Sequence, residues 1–169
     1  MNFNKNASKE NVFEQVKIFI QEKNIHISSE DTNRPWGGFL VLDEADADKF
    51  IAAFFPHLTK DILNISGKLS PKILIVAPLK RLSWQYHRRR AEIWKLIAGE
   101  AAVVTSDSDE ENEIIHLQKG DIIELKKGER HRLVGEENWG IIAEIWRHTD
   151  ASNPSDEDDI VRLQDDFGR

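Results

Sequence analysis

The chain has 169 residues, 23 Lys and Arg against 30 Asp and Glu, a net charge of −7 and no cysteine. That length is enough for one domain with its own core, and without cysteine both disulfides and thiolate metal sites are excluded, so a metal would have to be held by His, carboxylate or amide groups. The acidic balance argues against sequence-independent nucleic-acid binding, and with no stretch of membrane-spanning length and no signal-peptide core at the start, a cytoplasmic protein binding neither nucleic acid nor membrane is expected.

Val12, Val16, Phe19 and Ile20 recur at helical spacing, which predicts an amphipathic helix over 9–24 capped by Ser8, its apolar stripe packed in the core or against a second copy. Arg34-Pro35-Trp36-Gly37-Gly38 breaks the pattern ahead of a short strand over 39–42. A second helix is predicted over 47–55, with Asp46 as its cap and Pro56 at its end. From residue 72 the texture changes to short apolar or alternating runs, 73–77, 82–87, 93–98, 101–105, 113–117, 121–125, 131–134 and 140–146, separated by turns. Short strands at this spacing predict a closed or sandwiched antiparallel barrel. The acidic run 106–112 is read as a solvated hairpin loop. Past Trp146 the chain is polar, and Ile160, Val161 and Leu163 are expected to pin its last segment to the barrel.

Gln85 and His87 stand two apart on a strand and so share a face. Glu92 opens the next apolar strand after an arginine-rich turn, and His131 opens another after the turn at Gly128. Two imidazoles, a carboxylate and an amide could converge from three strands on one ion, a donor set suited to a divalent cation. Ser83 shares the inward face, whereas Trp84 and Tyr86 fall on the other, toward a second sheet or a neighbouring chain. Glu144 is the odd residue of an otherwise apolar strand. Buried, it must be partnered or raised in pKa, and it is the leading candidate for a catalytic base, with a structural ion pair to an arginine as the alternative. His26, His57, His116 and His148 lack ligand spacing and are assigned no chemistry.

These motifs resemble those of the cupin superfamily, Gly-x5-His-x-His-x3-4-Glu-x6-Gly followed by Gly-x5-Pro-x-Gly-x2-His-x3-Asn. Here His87-x4-Glu92-x6-Gly99 and Gly120-x5-Lys126-x-Gly128-x2-His131 match, with Gln85 at the first histidine, Lys126 at the proline and Gly135 at the asparagine. Gln85 within Leu82-Ser83-Trp84-Gln85-Tyr86-His87, followed by Arg90-Ala91-Glu92-Ile93-Trp94, is similar to type II mannose-6-phosphate isomerase domains, as found in the C-terminal part of mannose-1-phosphate guanylyltransferases. Arg34-Pro35-Trp36-Gly37 at the entry, Glu157-Asp158-Asp159-Ile160-Val161-Arg162 and the final Phe167-Gly168-Arg169 extend the match to about 34–169.

The resemblance implies a mainly β, cupin-type double-stranded β-helix (jelly-roll barrel) with N-terminal helices. In domain terms, 1–169 is a single cupin domain: a helical extension over 1–33, a barrel over 34–146 with a helical insertion over 46–65, and a tail over 147–169 packed on the barrel. Exposed strand edges and the first helix need cover, so a homodimer is expected. The implied activity is a metal-dependent aldose–ketose isomerisation of a sugar phosphate, mannose 6-phosphate and fructose 6-phosphate first. Gln85, His87, Glu92 and His131 would hold the metal; the resemblance favours zinc, and manganese, iron, nickel or cobalt suit the same donors. Glu144 and Arg90 are the catalytic candidates, and Ser83, Lys72 and Arg162 the substrate-binding ones. Arginine grips phosphate bidentately, which puts Arg90 first at the barrel mouth, with Lys72, Arg81, Arg88, Arg162 and Arg169 behind it. Arg88 and Arg89 stand where the family has two histidines, and Trp146 where it usually has Gln. These departures leave the sugar open, along with two alternatives: a cupin of other chemistry, such as an epimerase or an oxygenase, and a non-catalytic sugar-binding or regulatory module.

Overall fold

Two long strands organise the molecule, and the sequence presents each of them as a pair of short ones. The computed structural model describes residues 1–63 and 67–169; residues 64 and 65, the end of the predicted insertion, lie outside them. The predicted strands 93–98 and 101–105 are one strand, β5 (Arg90–Ser106), if β1 (Ile27–Asp31), β2 (Gly37–Leu42), β3 (Lys72–Val76) and β4 (Trp84–Tyr86) are numbered before it. After β6 (Ile115–His116) and β7 (Ile122–Leu125), 131–134 and 140–146 likewise merge into β8 (Arg130–His148), and β9 (Val161–Gln164) closes the chain. β5 and β8 pair antiparallel from Arg90↔His148 to Ser106↔Arg130, with register shifts between Leu96 and Ala98 and between Gly99 and Ala101. Their first halves of pairing extend one sheet through β7 on one side and β3, β2 and β1 on the other. Beyond the bend β5 pairs with β6 and β8 pairs with β4, which in turn carries β9, to make the facing layer.

Gly99 makes the bend possible. Its φ is +71°, and a Cβ there would lie 1.7 Å from the Trp139 carbonyl oxygen, so the bulge that turns β5 between layers admits only glycine. Gly99→Ala is expected to cost about 3 kcal/mol or more of folding stability, read as a lowered urea midpoint; an unchanged midpoint would show that the corner tolerates a side chain.

Period-two alternation sorts the strand residues. Ile73, Ile75, Ile93, Ile141, Ala143 and Ile145 face outward and pack with Val12, Phe13, Val16 and Ile20 of α1 (Lys9–Gln21) and Phe50, Ile51 and Phe54 of α2 (Ala47–Phe54). Leu74, Val76, Trp94, Leu96, Leu133 and Ile142 face the barrel interior. β3 is therefore buried on both faces, and Glu92, Glu144 and Trp146, in step with the second set, point inward.

Ser8 caps α1 by accepting from the Asn11 amide, but the helix stops at Gln21, ahead of Asn24, whose φ is +56°. Asp46 makes no cap bond. It is buried and accepts instead from the His26 amide and the Lys49 ammonium, while Asp43 caps the 3-10 turn Glu44–Asp46 that precedes α2. α3 (Lys60–Leu63) follows. β1 was not predicted, because as an edge strand with three exposed central residues it has no buried face to betray it. The run 106–112 is exposed from 107 onward, as expected of a solvated loop, yet it is tied to the barrel: Glu111 pairs with buried Arg132, Asp109 with Arg130, and the Asp109 carbonyl accepts from Trp84 Nε1. Trp84 and Tyr86 thus pack beneath this loop, Tyr86 under the Arg130 guanidinium at 4.2 Å.

Candidate active site and metal centre

His87, Glu92 and His131 come together inside the barrel, each buried, with one donor atom apiece lying within 4.8 Å of the others. β8 lies between β4 and β5, so His131 at its start stands opposite Gln85, while Glu92 arrives from the first half of β5. His87 Nε2 is 3.2 Å from Glu92 Oε1 and His131 Nε2 is 3.5 Å from Glu92 Oε2.

Both rings are oriented from behind. His87 Nδ1 lies 2.6 Å from the Asp159 carbonyl oxygen and His131 Nδ1 lies 2.9 Å from that of Glu129. A carbonyl only accepts, so each Nδ1 carries a hydrogen and each ring turns Nε2 toward Glu92, a bare lone pair in the neutral form. Burial, the main influence on His87, lowers its pKa and favours that neutral form. Burial also opposes ionisation of Glu92, but its neighbours His87 and Arg90 and the imidazoles' hydrogen bonds outweigh it and hold its carboxyl well below the usual range. With His87 neutral, Arg90 carries the compensation: Nε donates to Glu92 Oε1 at 2.7 Å and Nη2 lies 3.2 Å from His87 Nε2.

That compensation reaches one side only. Glu92 Oε2 and His131 Nε2 are buried and have no hydrogen-bond partner, so acceptors face one another across a gap that only a cation or a proton would reconcile. The donor set and its orphaned atoms fit a divalent metal. Gln85 is adjacent, but turns Nε2 toward His87 at 3.5 Å while Oε1 accepts from Ser83 Oγ at 2.6 Å. Its amide would have to turn over to offer oxygen, which leaves Nε2 facing the Ser83 hydroxyl.

A cavity of about 400 Å³ is lined by the buried Ser83, Gln85, Glu92 and Glu144; of the cluster, Glu92 is in the lining and the two histidines are not. Glu144 is partnered not by arginine but by two indoles: Trp94 Nε1 donates to Oε2 at 2.7 Å and Trp146 Nε1 to Oε1 at 2.8 Å. Burial first, and the neighbouring Glu92 second, push its pKa from an ordinary 4.5 up to about 7. A carboxyl in that range can both take and return a proton at neutral pH.

The cationic candidates divide. Lys72 is buried in the cavity wall, its ammonium over the rings of Trp146 and Phe39 and paired with Glu157. Arg90 is buried too, stacked 3.6 Å over Trp146, with Nη1 donating to Ser155 Oγ and the Asp156 carbonyl. Arg162 and Arg169 line the cavity from exposed positions. Arg81, bound bidentately by Asp166, and Arg88 are not in its lining.

Several contributors carry no spacing signal in the sequence. Asp159 accepts from the amides of Arg88 and Arg89 and from Ser155 Oγ while its carbonyl holds His87, so the tail is anchored by polar contacts and by β9 pairing with β4 more than by the apolar side chains expected to pin it; Leu163 stays 38% exposed. Arg89, where the family has histidine, binds Asn153, Asp156 and the Pro154 carbonyl. Arg34, Trp36 and Trp94 also line the cavity; the break at 34–38 marked the first two as unusual without giving them a role.

A family model described as mannose-6-phosphate isomerase C-terminal matches residues 46–165. Among curated relatives, the mannose-1-phosphate guanylyltransferase of Salmonella montevideo is 27% identical over 153 residues, 90% of this chain and 26% of that protein. The mannose-1-phosphate guanylyltransferase of Escherichia coli (strain K12) is 30% identical over 158 residues, 94% of this chain and 27% of that protein. This chain therefore spans about a quarter of the length of these relatives. Among solved structures, a vicilin from Corylus avellana superposes with a TM-score of 0.56 at 15% identity, over 84% of this chain and 36% of that one. The fold is cupin-type, as the motifs led one to expect.

Proposed function

The chain belongs to the mannose-6-phosphate isomerase C-terminal family, and from that premise we propose that it is a metal-dependent aldose–ketose isomerase of a sugar phosphate, mannose 6-phosphate and fructose 6-phosphate first. One observation carries this: a carboxyl group with a pKa of about 7, Glu144, lines one cavity together with Glu92 of the His87, Glu92 and His131 cluster. Isomerisation moves a proton between adjacent carbons through an enediol. Glu144 takes the C2 proton and returns it to C1, oriented throughout by the Trp94 and Trp146 indoles, while the C2 hydroxyl proton passes to the C1 oxygen, so that the aldehyde becomes a hydroxyl and the C2 hydroxyl a ketone. A divalent cation held by His87, Glu92, His131 and Gln85, zinc before manganese, iron, nickel or cobalt, would supply Lewis acidity to the carbonyl and hydroxyl oxygens. Arg90 acts as a positioning residue that fixes Glu92, Ser83 orients Gln85, and Lys72 and Arg162 contribute positive charge to the substrate's side of the cavity.

The net charge of −7, and the lack among the described residues of any helix long and apolar enough to cross a membrane, support a cytoplasmic protein with a small-molecule partner rather than nucleic acid or membrane. The exposed β1 edge supports a homodimer. The test is metal analysis of the purified protein followed by exchange of the C2 proton of several sugar phosphates in deuterated water. Deuterium at C2 of mannose 6-phosphate is expected; no incorporation into any sugar phosphate by metal-loaded protein would overturn the proposal. One feature favours a second activity: with the Gln85 oxygen turned to Ser83, two His and one Glu remain, the donor set of an iron oxygenase. Iron in the purified protein together with oxygen consumption would support that instead.

A further inference from the structure

The lining of the cavity is graded. Glu92 and Glu144 are buried at one end, and the residues that line it from accessible positions include three arginines, Arg34, Arg162 and Arg169. Two of these are already engaged. Arg34 donates through Nε to Asp31 at 2.8 Å, and Arg169 donates through Nε and Nη2 to Asp165 at 2.9 and 3.0 Å. The Arg162 guanidinium has no hydrogen bond or ion pair among the described residues, not even with Asp158, which lines the same cavity. Burial first, then the charge of Arg169, lower its pKa; Asp165 partly opposes this and Arg34 adds to it, so both other guanidinium groups act on Arg162 by repulsion. Asp31 and Asp165 leave N–H groups free on Arg34 and Arg169, and no acid among the described residues is hydrogen-bonded to the Arg162 guanidinium, so unused donors from three cations line one cavity. Lys72, by contrast, is closed off by Glu157 and two aromatic rings.

We propose that Arg162, flanked by Arg34 and Arg169, forms a subsite for a phosphomonoester dianion at the mouth of the cavity. Guanidinium groups bind such a dianion bidentately through charge-assisted hydrogen bonds. The subsite deepens the sugar-phosphate assignment and rests on it for the identity of the substrate: the phosphate lies at the accessible end and the reacting carbons lie at Glu144. It also assigns the grip to Arg162 rather than to Arg90 or Lys72.

The test is calorimetric titration of the purified protein with inorganic phosphate and with mannose 6-phosphate, singly and in competition, comparing the unmodified chain with Arg162→Gln, Arg162→Lys and Arg34→Gln. Arg162→Gln is expected to weaken both ligands at least tenfold, and to raise KM by the same factor with kcat within about threefold. Arg162→Lys should recover part of the loss and Arg34→Gln should show a smaller one, at unchanged thermal midpoints. The two ligands should exclude one another. Phosphate bound equally well by Arg162→Gln, or not bound by the unmodified chain at millimolar concentration, overturns the subsite. Because titration needs no turnover, an inactive protein whose phosphate binding depends on Arg162 keeps the subsite and loses the isomerase, whereas an active one whose binding ignores Arg162 does the reverse.

Discussion

His131→Ala is expected to abolish metal retention and bring C2-proton exchange to background without unfolding the protein. His131 Nε2 has no hydrogen-bond partner, so truncation removes an unsatisfied polar atom and, besides the ring's packing on Trp94 and His87, breaks one hydrogen bond, from Nδ1 to the Glu129 carbonyl. Glu92→Gln should act on metal and activity alike but cost more stability in chelated protein, about 3 kcal/mol, since it strips buried Arg90 of its carboxylate. The two variants thus separate the roles of one cluster. Chelation provides a readout independent of turnover. A metal held at 100 to 1,000 times its dissociation constant stabilises the folded state by about 3 to 4 kcal/mol, so chelator should lower the thermal midpoint of the unmodified chain and leave that of His131→Ala unmoved. Equal responses from the two proteins would remove the proposed centre.

Strand periodicity made this cluster legible before any coordinates. Spacing of two put Gln85 and His87 on one face, and the isolated Glu144 in an apolar run announced a carboxyl that had to be satisfied internally. Its partners were not legible. The indoles of Trp94 and Trp146 reach it from β5 and from two residues along β8, and nothing in their sequence spacing distinguishes a packing tryptophan from a donor. The continuity of β5 and β8 was hidden for a different reason. Gly99 and Gly140 punctuate the chain as turn residues do, yet they face each other across a bulge and bend both strands together. The tail escaped because Asp159 meets His87 through its backbone carbonyl, a group every residue possesses, while its carboxylate accepts from the backbone amides of Arg88 and Arg89, donors that no sequence pattern marks. Local pattern therefore located the first ring of donors, and tertiary contact decided what orients them.

Glu144→Gln should lower proton exchange by about a hundredfold to ten-thousandfold, the usual contribution of a positioned base, and its effect on stability should depend on pH in a definite direction. The folded-state pKa is raised from 4.5 to about 7. Below pH 4.5 the carboxyl is protonated whether the chain is folded or not and contributes no pH dependence. Between 4.5 and 7 the unfolded chain releases a proton that the folded one retains, so stability falls as pH rises, by about 3 kcal/mol in all, and levels off above 7. Gln cannot titrate, so the stability difference between the unmodified chain and the variant should shrink by that amount across this window. At low pH the variant should be the less stable, because its NH2 group faces an indole N–H that needs an acceptor. A cation at Glu92 would offset the charge that is the second cause of the shift, moving the window to lower pH in metal-loaded protein. If Glu144 is the base, the exchange rate climbs with pH up to the same pKa, and the rising limb disappears in the variant; a limb that survives Glu144→Gln assigns proton transfer to another group in the cavity.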